Sequence, residues 1–155
     1  VDIGFYIIDC DNSSKNNKLI EILDNMISEN PYDNIILFNN RYRRVDAKKK
    51  FPILHLSQAK YFRGTLICFD IRSLSLARTF PGPNQHIFCC DSPEWTMDPM
   101  GKAIMWKNLY ENEEIKIITY EKEMNDLLSL CWDTKNLTYL TDFNAKELYG
   151  AIQKI

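Results

Sequence analysis

Residues Val1–Leu23, "VDIGFYIIDCDNSSKNNKLIEIL", contain the change of hydrophobic period that decides the fold. The run Ile3–Ile8 is continuously apolar, as in a strand covered on both faces, and it stops at Asp9-Cys10-Asp11. Beyond a short polar loop, Leu19, Ile22, Leu23, Met26 and Ile27 share one stripe of a helix over about Asn16–Ser28. Asn12, Ser13 and Ser14 suit the turn and the helix cap between the two. A strand, a tight loop and an amphipathic helix in that order open a βα unit.

The same alternation continues along the chain. Asn30-Pro31-Tyr32-Asp33 ends the first helix, and Asn34–Phe38 is a second strand. "ILHL" (Ile53–Leu56) and "TLICFD" (Thr65–Asp70) are the third and fourth, followed by a helix over about Ile71–Thr79 that the prolines of "PGPN" (Pro81–Asn84) terminate. "HIFCC" (His86–Cys90), a helix over about Met100–Tyr110, "IKIITY" (Ile115–Tyr120), a helix over Lys122–Cys131, "LTYL" (Leu137–Leu140) and a helix over Ala145–Lys154 complete the series. The expectation is a single Rossmann-like α/β domain over residues 1–155, three layers deep, with a mostly parallel sheet of about six or seven strands. The short third and fourth strands can pair in more than one way, so the strand order stays open.

Composition narrows the function classes. The chain has 155 residues, 45% hydrophobic and 26% charged, with net charge −2, so no global charge draws it to nucleic acid or to an anionic membrane. Its apolar runs fall short of the roughly 18 residues of a membrane span, and no basic region precedes the first of them. Cys10, Cys68, Cys89, Cys90 and Cys131 are odd in number, lack Cys-x-x-Cys spacing and read as reduced, buried packing residues. The expected setting is soluble and cytoplasmic, in the producing or infected host cell, with no membrane contact.

In a parallel sheet, ligands bind beyond the carboxyl ends of the strands. Three strands end there in aspartate: Asp9 and Asp11, Asp70, and Asp91. Together they can bind a ligand or a hard cation; individually they can cap the helices that follow. "IIDCD" also resembles the nucleophile motif of haloacid-dehalogenase-type phosphatases, which implies Asp9 as nucleophile and Asp11 as acid/base of a Mg²⁺-dependent enzyme. The flap that those enzymes insert before the first helix has only Asn12–Lys15 to correspond to it. The first turn has no glycine and the chain has no Gly-Lys-Ser/Thr loop, which disfavours dinucleotide and P-loop chemistry and leaves a phosphate near Ser13 and Ser14 as a weaker reading. No bound cofactor or metal is expected.

Two further segments stand out. "RYRRVDAKKK" sets Arg41, Arg43, Arg44, Lys48, Lys49 and Lys50 around Tyr42 and one aspartate; it is either a solvated loop or a grip for phosphate, nucleic acid or a protein partner. Trp95, in "DSPEWTMDP", either presents its indole to a sugar face or partner, or folds back onto the core. Trp106 and Trp132 fit core positions, and His55 and His86 lack ligand spacing and fit packed or hydrogen-bonded roles. Cys89 and Cys90 must face opposite sides of their strand, and neither has a histidine base.

The stretches "NIILFNNRYRR", "AKYFRGTLICFD", "FPGPNQHIFCCDSPEW", "IKIITYEKEMNDLLSLCW" and "LTYLTDFNAKELYGAI" resemble, in their order, the N-terminal, acceptor-side half of GT-B-fold glycosyltransferases, in particular short glycosyltransferase-like proteins of tailed phages. The resemblance implies a stand-alone domain that binds a sugar, nucleotide or acceptor and assists glycosyl transfer, with Asp9, Asp11, Asp70, Asp91 and Trp95 at the ligand edge. Because the family binds its nucleotide-sugar mainly with a second Rossmann-like domain, little activity is expected of these residues alone. The alternative is a non-catalytic protein- or nucleic-acid-interaction module using loop 41–50 and Trp95.

Overall fold

The computed structural model describes residues 1–8, 14–40, 49–97 and 103–154. Seven strands, β1 (Asp2–Ile7), β2 (Asn34–Asn39), β3 (Ile53–His55), β4 (Thr65–Cys68), β5 (Gln85–Cys89), β6 (Ile115–Thr119) and β7 (Leu137–Tyr139), form one sheet. Its order is β3-β2-β1-β4-β5-β6-β7, and every pairing is parallel. The helices are α1 (Ser14–Glu29), α2 (Ile71–Ala77), α3 (Ala103–Tyr110), α4 (Lys122–Cys131) and α5 (Ala145–Gln153). Among the described residues, two 3-10 turns, Leu56–Tyr61 and Glu94–Met97, join them.

The period of two along each strand divides the interior into two cores. Ile3, Phe5 and Ile7 of β1, with Ile35 and Leu37 of β2, face α1 and α5. Tyr6, Phe38, Leu66, Cys68 and Phe88 face the opposite way, onto Ala59, α2, α3 and α4. Both faces of the sheet are therefore dry, which is why its strands read as apolar runs without polar alternation. Gly4 takes its place between Phe38, Leu66 and Phe62 because a Cβ there would lie 2.9 Å from each of those side chains.

The chain first steps from β1 outward to β2 and β3, then returns past β1 and steps the other way, from β4 to β7. Since parallel crossovers are right-handed, the reversal sends α1 to one face and α2, α3 and α4 to the other. It also opens the carboxyl edge between β1 and β4, the topological switch point. After β7 the chain crosses back, and α5 packs beside α1.

Cys89 and Cys90 lie in opposite cores, as adjacent residues of a strand must. Cys68 is buried with them, but Cys131, at the end of α4, is exposed. The expectation of a buried cysteine fails there although residue 131 keeps the spacing of the buried Met124 and Leu128, because it is the last residue of α4, past the turns that the core covers. Cys10 lies outside the described residues.

Candidate functional site at the carboxyl edge

Asp70 and Asp91 follow neighbouring strands, yet local sequence gives them different tasks. Asp70 is the N-cap of α2: one oxygen accepts the Ser73 amide at 2.7 Å, the other the Ser73 hydroxyl. Both carboxylate oxygens are thus engaged by the first turn of the helix, in a cap that stabilises it by about 1 kcal/mol. Glu94, from the turn after β5, adds a second carboxylate to the same helix end, its two oxygens each 3.2 Å from the Ile71 amide. Composition drew no attention to Glu94, since it is seated by the path of a 3-10 turn and belongs to no motif.

Asp91 has no such helix beside it, because Pro93 interrupts the chain two residues later. Its carboxylate instead accepts the Tyr120 hydroxyl at 3.0 Å. Tyr120 follows β6, and its ring stacks on Phe143 with centroids 4.2 Å apart and planes at 19°. Burial, then the neighbouring negative charge of Asp91, push the Tyr120 phenol well above its ordinary pKa. It stays protonated and holds the carboxylate in place. Around this pair, beyond the ends of β5 and β6, lies a polar pocket of about 370 Å³ lined also by Pro93, Glu121 and Glu123.

On the other side of Pro93 a larger groove of about 730 Å³ runs between α2, the 92–97 turn and α3. Its walls include Arg72, Met97, Met105 and Trp106. Trp95 does not line either space: its half-buried ring packs edge-on against Tyr110 at 5.0 Å and Trp132 at 5.8 Å. Tyr110 and Trp132 themselves stack at 17°. Of the two readings of Trp95, the structure has the indole folded back onto the core.

Asp9 and Asp11 lie outside the described residues, as do Arg41, Tyr42, Arg43, Arg44 and Lys48. The described end of the basic segment is tied to α1: the Lys50 amide donates to Asp24 at 3.1 Å, its ammonium to the Ser28 hydroxyl at 2.6 Å, and the Lys49 ammonium lies 3.8 Å from Asp24. His55 caps the first 3-10 turn through the Ser57 amide, and His86 is bonded to the Ala77 carbonyl. Burial pushes the Cys90 thiol up to about 12, and Cys68 is likewise raised, so neither supplies a thiolate near neutral pH. Among the described residues no three His, Cys, Asp or Glu side chains gather as a metal site, and no helix is long and apolar enough to cross a membrane.

Compared with protein-family models, with curated proteins and with solved structures, the chain matches none.

Proposed function

We propose that the chain is a glycosyltransferase-like domain that binds a sugar, nucleotide or acceptor at the carboxyl edge of its sheet and assists glycosyl transfer. The observation that carries the reading is Asp91, fixed by Tyr120 at the mouth of a polar pocket beyond β5 and β6. A sugar presents a dense set of hydroxyl donors, and carboxylates are their strongest neutral-pH acceptors. Asp91, Glu121 and Glu123 supply such acceptors around one space, whose volume falls within the roughly 300–1,000 Å³ of small-ligand sites. The Tyr120 oxygen, while donating to Asp91, keeps lone pairs for a further hydroxyl. In the glycosyltransferases that the sequence resembles, a second domain holds most of the nucleotide-sugar, so residues 1–155 alone should turn over slowly.

The test is calorimetric titration with a panel of methyl glycosides and nucleotide-sugars, repeated on Asp91→Ala. The expected result is binding by at least one sugar, weakened about tenfold or more in the variant, the loss typical of a hydrogen bond to a charged group. Unchanged affinity in a folded Asp91→Ala protein would overturn the assignment. Fast transfer by residues 1–155 alone would contradict the assisting role.

A further inference from the structure

The groove on the other side of Pro93 has a chemistry opposite to that of the polar pocket. We infer that it is a separate site for a small molecule with a flat or chain-like apolar body and one terminal anionic group, held by Arg72. Three observations point there. Its walls are mainly apolar, with Met97 (87% exposed) and Met105 (37% exposed) offering flexible thioether side chains to a ligand. Arg72 makes no ion pair or hydrogen bond with any described residue, so its planar fork of donors is available. The carboxylate among the lining residues, Glu94, turns both oxygens toward the Ile71 amide. Among the described lining residues, the charged donor that the groove offers a ligand is therefore the Arg72 guanidinium.

Ser75 stands one helical turn from Arg72 on the same side of α2 and also lines the groove, adding a hydroxyl donor beside the guanidinium. At about 730 Å³ the space admits a two-ring or medium-chain body together with its anionic head. A free sugar would leave the methionine walls uncovered, and a bare inorganic anion would leave them in water. The apolar surface and the Arg72 guanidinium are satisfied together by an aryl or alkyl phosphate or carboxylate. This inference rests on the proposed function only in placing ligands at the carboxyl edge.

The decisive comparison uses 1-naphthyl phosphate, 1-naphthaleneacetate (the carboxylate anion), 1-naphthol and inorganic phosphate, titrated by fluorescence or calorimetry against the intact chain. One of the two naphthyl anions should bind at least tenfold more tightly than both naphthol and phosphate, the phosphate and carboxylate arms separating the two head groups. Arg72→Gln should bring the tighter anion to the affinity of naphthol, a loss of about tenfold or more, while leaving naphthol itself unchanged. Met105→Glu, which puts a negative charge on the apolar wall, should weaken both anions. Equal binding of naphthol and its anions, or no change in folded Arg72→Gln, would overturn the inference. So would a concentration-dependent dimer dispersed by Met105→Glu with no anion bound, which would assign the face to a second copy of the chain. Methyl glycoside binding should be unaffected by Arg72→Gln; its loss in Asp91→Ala alone reports on the polar pocket and leaves the groove standing.

Discussion

The His86 imidazole, on β5, donates from Nε2 to the Ala77 carbonyl at 3.1 Å. Burial lowers its pKa below 6.5, the Arg78 charge lowers it further, and the Ala77 bond recovers only part. The neutral ring is therefore the one the fold prefers. As pH falls below 6.5 the unfolded chain takes up a proton that the folded chain refuses, so stability declines until the folded pKa is reached. Denaturant titrations at pH 7 and pH 5.5 should show this decline in the parent and a smaller one in His86→Gln, which keeps a donor for Ala77. Equal declines in both proteins would show that the ring is not the source. The same attention to neighbours separates Asp70 from Asp91. "DIRS" places Ser73 three residues after an aspartate that opens an apolar helix, a cap signature visible in sequence. The partner of Asp91 is 29 residues away, and only the pairing of β5 with β6 brings it near.

Among the elements, the strands and helices were legible, down to the three-residue β3 and β7, and the 3-10 turns were not. α1 and α4 follow their apolar stripes, and α4 spans Lys122–Cys131 as its pattern predicts. The two described 3-10 turns left no signal, because six and four residues complete too few turns to set a period, and the position of Trp95 depends on one of them. Glycines test these elements in opposite directions. Gly64 leads into β4 at φ 156°, and a Cβ would lie 2.4 Å from the Asp2 carbonyl oxygen, so Gly64→Ala should cost about 1–3 kcal/mol. Gly150 lies inside α5 with nothing within 4 Å of the place a Cβ would occupy. Gly150→Ala should add about 0.5–1 kcal/mol by restricting the unfolded chain and favouring the helix. Thermal unfolding should thus shift downward for the first variant and upward for the second; a stabilising Gly64→Ala or a destabilising Gly150→Ala would contradict the backbone path.

Across the whole molecule, parallel strands buried on both faces made the α/β class readable, because each strand had to be apolar along its length. The same uniformity hid the strand order: "ILHL" and "TLICFD" carry nothing that says which lies at the edge and which beside β1. That order nevertheless creates the carboxyl edge, on which the polar pocket and the apolar groove lie side by side with Pro93 in the wall of each. Two other depressions open on the amino edge, around Arg63, Thr65 and Gln85 and around Lys116 and Leu137. The central claim, that ligands bind at the carboxyl edge, is tested most directly by amide chemical-shift mapping of the ¹⁵N-labelled protein during titration with the tightest-binding methyl glycoside or nucleotide-sugar. The account predicts saturable shifts at residues 91–94 and 120–124, lost in Asp91→Ala. Shifts confined to residues 63–65, 85 and 113–116, or saturable binding that leaves residues 91–94 and 120–124 unmoved, would contradict it.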